Sequence, residues 1–255
     1  MTDDAPILEF DPDPVGVFDP EGQTPDGSVP RCAVACHFVD LVNLARQNAE
    51  VVMSLPSGLP LLRIRHKDRW VGLFYPGQGA PLAAASFERV IAGGCSSIVA
   101  CGDAGTLTGR PLGDLVIVSA ALRDEGTSYH YLAPGREATA SERDLNELIQ
   151  AAQAVDWDHT VGKTWTTDGL FRETRGKIER RRNEGCLVVE MEAAALIAVA
   201  SFRGIRFGQY LYIGDDVSSP VWRDRQRLQA STVRQRLMDL SLDATLRLEH
   251  GADNQ

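Results

Sequence analysis

An α/β domain, with helices on both faces of a mostly parallel sheet, is the fold class this sequence predicts, and three observations predict it. Short apolar runs of strand length alternate with segments of helical composition or period. No proline- or glycine-rich linker divides that alternation, so one domain is the economical reading. Of the 255 residues, 44% are hydrophobic, which is enough for a substantial core.

The elements follow in order. Residues 1–30 carry Pro12, Pro14, Pro20, Pro25 and Pro30 among Asp and Gly. Such a stretch buries little apolar surface and is expected to be an acidic, extended or partly disordered extension. The folded domain is expected over residues 31–250. Strands are expected where apolar runs are short: 32–36, 61–64, 70–75, 97–101, 115–119, 187–189 and 207–213. Between them, helical composition or period predicts helices over 39–52, 82–91, 142–154, 173–183, 190–202 and 231–248. In such sheets ligands bind at the carboxyl ends of strands, which singles out the loops beginning near Tyr75, Cys101, Ser119, His159 and Ile213.

Composition excludes several functions. The formal net charge of −9 argues against nucleic-acid binding, because a phosphate-tracking surface needs a basic excess and the arginines are dispersed among acids. The five cysteines are odd in number and lie mostly in apolar or small-residue strings, which reads as reduced thiols. Cys32 and Cys36 have no second Cys/His pair nearby, so no metal site is expected. The start, MTDDAPILEFDPDP, lacks a basic segment followed by an apolar one, and no apolar run reaches membrane-spanning length. A cytoplasmic protein without membrane contact is therefore expected.

Three segments carry chemistry. The stretch PGQGAP, residues 76–81, follows a strand and leads into a helix, an arrangement that lets backbone N–H groups approach an anion or a sugar. A second glycine-rich stretch, ACGDAGTL at 100–107, also follows a strand. Neither has the GxGxxG spacing or the GK[ST] ending of dinucleotide and triphosphate sites. The third is EMEAAAL, residues 190–196, where two carboxylates flank a methionine as a strand gives way to an alanine-rich helix. One carboxylate could cap that helix. The pair also suits vicinal ribose hydroxyls, since each carboxylate accepts several hydrogen bonds, and a thioether can lie against the sugar face.

With EMEAAAL followed by an apolar helix and then Ile213-Gly214-Asp215-Asp216, the sequence resembles the nucleoside phosphorylase and uridine phosphorylase family. Also similar to that family are PGQGAP, GDAG, Arg123 to Ser128, Trp165 to Asp168 and Phe171 to Thr174, all in family order. The resemblance implies a three-layer α/β/α fold around a twisted mixed sheet, and a homo-oligomer, dimer or hexamer. It implies a pentosyltransferase of purine salvage: phosphorolysis of a purine ribonucleoside to base and ribose 1-phosphate, with no cofactor beyond inorganic phosphate as co-substrate. Met191 and Glu192 would hold the ribose with Glu190 assisting. Trp165, Leu170 and Phe171 would wall the base, with Thr166, Arg172, Asp103, Ala104 and Gly105 completing the substrate site. Asp215 would be the general acid toward purine N7, a role that needs a carboxyl raised by burial, and Asp216 is its competitor.

The match is thinnest around phosphate. Ala100 stands where phosphorolytic relatives usually place an arginine, and Asp103 where a hydroxyl residue is common; Gly214 replaces the signature serine. Gly79, Gly102, Asp103 and Arg123 are the remaining candidates for the phosphate site. His37 stands where hydrolytic relatives place a water-activating glutamate. A nucleoside hydrolase, a uridine phosphorylase and a non-catalytic nucleoside-binding protein therefore remain open beside the phosphorylase.

Overall fold

A computed structural model describes residues 5–18, 20, 27–219, 223–224 and 230–250. At its centre β1 (Cys32–Cys36) runs parallel to β4 (Arg69–Phe74) on one side and to β5 (Ser97–Thr106) on the other. Beyond β4, β3 (Pro60–His66) and then β2 (Glu50–Ser54) continue antiparallel to the sheet edge. On the far side, β5 pairs in parallel with β10 (Arg206–Asp216), and β10 pairs antiparallel with β6 (Leu115–Asp124). Next to β6 lies β8 (His159–Thr167), then β9 (Cys186–Glu190), which returns antiparallel to β5. The mixed sheet thus closes on itself at one end: β5, β10, β6, β8 and β9 each have two neighbours in the ring. Two short strands, β7 (Glu137–Thr139) on β6 and β11 (Arg223–Asp224) on β10, complete it.

Period-two alternation explains the layers. Ala33 and Ala35 of β1, with Ile98, Ala100, Leu211 and Ile213, face the layer of α2 (Ala80–Ala92) and α5 (Ala193–Arg203). Cys32, Val34 and Cys36, with Val99, Cys101, Tyr210 and Tyr212, face α3 (Glu142–Ala154) and α6 (Ala230–His250). Buried on both faces, β1 has no polar positions, which is why it reads as an unbroken apolar run. Phe87 of α2 is fully buried and meets Phe74 and Phe207 edge-on, each at 5.8 Å between ring centroids, and burying such a ring contributes about 1.5–3 kcal/mol.

Several elements differ from expectation. The helix expected over 39–52 ends early: α1 is Val39–Ala45, a single 3₁₀ turn follows at Arg46–Asn48, and 50–54 is a strand. Pairing wins there because Glu50 lies opposite Arg63 on β3 and accepts its Nε at 2.8 Å. Ser119 and His159 do not begin loops; the first lies within β6 and the second opens β8. The glycine-rich stretch 102–106 is likewise strand, paired with both β10 and β9. Within the described part of the N-terminal extension, Pro6–Leu8 forms a 3₁₀ turn, and Arg203 at the end of α5 donates to the Pro14 carbonyl at 2.8 Å. The rest of the disorder expected over residues 1–30 falls outside the described residues. Among the described residues no helix is long and apolar enough to cross a membrane.

Candidate active site

A cleft of about 1160 Å³ opens at the carboxyl ends of β4, β5, β9 and β10. Its lining includes Gly102, Asp103, Ala104, Gly105, Leu170, Phe171, Glu190, Met191, Glu192 and Asp215. Ten positions singled out in four separated sequence segments therefore converge on one cavity.

The carboxylate pair flanking Met191 divides into two functions. Glu190 Oε1 accepts from the hydroxyls of Thr164 (3.2 Å) and Thr166 (2.6 Å), and its Oε2 accepts from the backbone N–H groups of Glu192 (2.7 Å) and Ala193 (2.6 Å). Four donors saturate a carboxylate. Glu190 is the acidic cap of α5, so the assisting contact to ribose expected of it has no acceptor left to make it. Glu192 is different. Its Oε1 accepts from Gly79 N–H at 2.6 Å and a second backbone bond comes from Met191, which leaves acceptor capacity toward the cleft. Burial raises the carboxyl groups of both residues above their ordinary range; the Glu192 charge adds to the rise at Glu190, and Asp103 and Asp168 add to it at Glu192. Gln78 donates from Nε2 to the Met191 sulfur at 3.8 Å and lines the cleft beside it.

Alternation along β8 corrects two further expectations. Thr164 and Thr166 point to Glu190, so Trp165 between them points to the other side. There it is fully buried with Leu107, Leu122, Cys186 and Val189, donates from Nε1 to Asp124 Oδ2 at 3.0 Å, and has Lys177 and Arg181 over its ring at 5.8 and 5.6 Å from the centroid. Trp165 is core and does not wall the cleft. Thr166 reaches the cleft only through Glu190, and its Oγ1 also accepts from the Ala194 N–H at 3.0 Å. Leu170 and Phe171 do line the cleft, on the turn Leu170–Arg172, with Phe171 95% exposed at the mouth. Arg172, on the same turn, is exposed and outside the lining.

Asp215 and Glu173 also line the cleft. Asp215 lines the cleft near Gly105, whose absent Cβ would sit 3.0 Å from Asp215 Oδ1. Its competitor Asp216 is buried and turned away, accepting from Ser218 N–H at 2.9 Å and from its hydroxyl at 2.5 Å. Glu173 was not singled out from sequence. Burial, with the Asp215 charge adding to it, pushes its carboxyl up to about 7.

The other end holds His37, Asp103, Tyr212 and Arg234. Burial lowers His37 to about 4 against the opposing pull of Asp103, so the ring is neutral at pH 7, and its buried Nε2 has no partner among the described residues. Arg234 donates to the Tyr212 hydroxyl at 3.2 Å and is the one Lys or Arg among the described lining residues. Two of the phosphate candidates lie elsewhere. Gly79 gives its N–H to Glu192. The Arg123 guanidinium is consumed by its own loop, donating to Ser128 Oγ (2.8 Å), the Ala133 carbonyl (2.8 Å) and the Leu132 carbonyl (3.0 Å), and stacking on Tyr129. Gly102 and Asp103 do line this end. Gln209, the cross-strand neighbour of Ala100, lines the cleft with a buried Oε1 that has no partner among the described residues. His37 was noticed in the sequence; Gln209, Tyr212 and Arg234 carried no signal there, because only the pairing of β10 with β5 and the placement of α6 bring them in.

Among the described residues no group of three or more His, Cys, Asp or Glu side chains is arranged to hold a metal. A family model described as the phosphorylase superfamily matches residues 32–247. The chain is 32% identical over 133 residues to a guanosine phosphorylase of Halorubrum lacusprofundi, covering 52% of this chain and 55% of that protein. It is 30% identical over 158 residues to a uridine phosphorylase of Thermococcus kodakarensis, covering 56% of this chain and 57% of that protein. These matches thus span little more than half the length of those relatives. Over most of its length the fold is similar to that of a purine nucleoside phosphorylase of Toxoplasma gondii solved with immucillin-H: TM-score 0.76, 18% identity, 88% of this chain and 93% of that one.

Proposed function

Because this chain belongs to the phosphorylase superfamily, we propose that it cleaves the bond between a purine base and ribose, transferring the ribosyl group to inorganic phosphate to give free base and ribose 1-phosphate. The observation that carries this reading is Glu192, a buried carboxylate fixed by Gly79 N–H with acceptor capacity left toward the cleft, directly beside Met191. Vicinal ribose hydroxyls are the donors that such a group meets. As the glycosidic bond lengthens, the sugar acquires oxocarbenium character. Asp103, Glu173, Glu190, Glu192 and Asp215 surround it with carboxyl groups, and electrostatic stabilisation aimed at developing charge is commonly the largest catalytic term. Asp215 is assigned to deliver a proton toward N7 of the departing purine, while Leu170 and Phe171 cover the base. Phosphate would approach from the end that holds Gly102, Tyr212 and Arg234. The named relatives split between guanosine, uridine and purine nucleosides; the purine preference rests on the acid at 215.

A second reading, hydrolysis, is favoured by one observation. Neutral His37, with its unpartnered Nε2 next to Asp103, suits a base that takes a proton from water. The deciding experiment is base release from guanosine, inosine, adenosine and uridine, with phosphate and without it, identifying the sugar product. Phosphate-dependent release of ribose 1-phosphate is expected, with Asp215→Asn lowering kcat far more than it raises KM. Equal turnover without phosphate would establish hydrolysis, and turnover of none of the four would sink the cleavage reading.

A further inference from the structure

Asp103 is the one exposed position of β5, and it lines the cleft where the family commonly carries a hydroxyl residue. No hydrogen bond or ion pair holds its carboxylate among the described residues. The other carboxyl groups of the cleft are placed differently. Glu190 and Glu192 are tied to backbone N–H groups at the heads of α5 and α2, and Glu173, just ahead of α4 (Arg175–Asn183), shares its surroundings with Asp215. Asp103 is thus the carboxylate of the end that holds His37. Three elements surround it there. Tyr212 of β10 is its register partner, and the missing side chain of Gly214 leaves it room. His37, at the end of β1, lies over Gly102, its Cβ 3.4 Å from the place a Cβ would take. Arg234 of α6 donates to the Tyr212 hydroxyl at 3.2 Å and stands 3.7 Å from Asp40 of α1. With His37 neutral, one positive charge at this end faces two negative ones, those of Asp40 and Asp103.

The ligand's chemistry follows from the reading above, on which this step rests: an oxyanion enters this end and attacks C1′. A carboxylate is acceptor-only. An oxyanion that is also acceptor-only therefore meets both like charge and opposed lone pairs, and a hydrogen bond from the ligand to Asp103 is what offsets the repulsion. Phosphate and sulfate differ in this respect. At neutral pH phosphate keeps at least one P–OH group, which donates to a carboxylate, whereas sulfate has no proton to give. We propose that Asp103 is the specificity-determining residue for the nucleophile: it accepts a hydrogen bond from a protonated oxyanion, phosphate, and rejects an unprotonated one such as sulfate. The donated proton stays on the phosphoryl group. An unprotonated oxygen bonds to C1′ as the bond from C1′ to the base nitrogen breaks, and the base leaves with the proton of Asp215, which solvent restores. A hydroxyl at position 103 makes no such distinction, because it both donates and accepts.

The test measures KM for phosphate, inhibition by sulfate against phosphate, and KM for the nucleoside in the wild type, Asp103→Ser and Asp103→Asn, with calorimetric binding of inorganic phosphate and of sulfate to each. In the wild type sulfate should bind at least tenfold more weakly than phosphate. In both variants sulfate should tighten by about 10- to 100-fold relative to phosphate, the range that one charge-assisted hydrogen bond gives. An unchanged melting temperature would confirm that the variants are folded. Sulfate that competes as well as phosphate in the wild type, or a sulfate-to-phosphate ratio unchanged in the variants, overturns the proposal. A change confined to the nucleoside KM also overturns it and places Asp103 at the sugar. Should turnover be absent or independent of phosphate, binding decides. Phosphate bound over sulfate in an Asp103-dependent way upholds this assignment while phosphorolysis falls, and binding of neither anion, or of both equally, overturns both.

Discussion

Asp103 and Gly214 depart together from the family pattern, and the structure couples them. A Cβ built on Gly214 would lie 2.8 Å from Asp103 Oδ2, 2.9 Å from its Cβ and 3.3 Å from its Cγ. Gly214 has no left-handed backbone conformation to explain it, so the glycine is required by space alone. Adding a methyl group into a filled site costs about 1–3 kcal/mol. The entropy gained on replacing glycine returns only about 0.4–1 kcal/mol of that. Gly214→Ala is therefore expected to lower stability by about 1–2 kcal/mol, or several degrees in Tm for a chain of this size. In an Asp103→Gly background the same change should become neutral or slightly stabilising, because the three nearest contacts are gone. In Asp103→Ala the relief should be partial, since the Cβ at 2.9 Å remains. The assay is a double-mutant cycle by chemical denaturation, read from midpoints at constant m. Additivity within about 0.5 kcal/mol, or a Gly214→Ala protein more stable than the wild type, would refute the coupling.

Two other outcomes follow from the site. Glu190→Ala leaves the N–H groups of Glu192 and Ala193 and the hydroxyl of Thr166 without their acceptor, so stability should fall by about 2–4 kcal/mol. Glu192→Ala should spare most of the stability and chiefly raise KM for the nucleoside; the reverse pattern, measured by denaturation and steady-state kinetics, would exchange the two assignments. His37 carries a pH signature: its folded value of about 4 lies below the unfolded value of 6.5, so the unfolded chain binds the extra proton between them. The contribution is thus complete above pH 6.5 and is lost as pH falls toward 4. Relative to His37→Gln, the wild type should lose about 1–2 kcal/mol of stability between pH 7.5 and pH 5. The raised carboxyls titrate in both proteins and cancel in the difference, and a constant gap across that range would show that His37 is not held neutral.

How much of this was legible in the sequence depends on whether a feature is local. Helix α3 begins and ends where read, because Ser141 caps it through Asp144 N–H. The EMEAAAL turn was read correctly as strand into helix because its cap and its apolar helix lie within a few residues. β8 was missed: its polar threonines disguise a strand, and they are polar because two of them serve Glu190 on another element. Residues 102–106 look like a loop for the same non-local reason. Their small size admits β9 and β10, as the 3.2 Å approach of Val189 to a Cβ at Gly105 shows. Trp165 was placed in the cleft by motif, whereas period two places it in the core. Glu173 lies inside the stretch Phe171 to Thr174 but nothing within that stretch distinguishes it, and Gln209 and Arg234 had no periodic or motif signal, since they enter the cleft only through long-range packing.

That packing also decides where an anion can bind. Helix N-termini are the usual anion sites of α/β folds, and α2 and α5 both begin at this cleft. Each is already satisfied from within: Glu190 takes the first amides of α5, and Glu192 takes the N–H of Gly79 at the head of α2. The two positive helix ends therefore neutralise the fold's own carboxylates instead of a ligand's phosphate. This fixes Glu192 in place and offsets part of the cost of burying it. A phosphate dianion is left with the far end of the cleft, where Arg234 is shared with Tyr212 and Asp103 opposes it. Since five carboxyl groups and one arginine line the described cleft, the dependence of turnover on phosphate, more than the identity of the sugar, is the property that tests the proposed phosphorolysis.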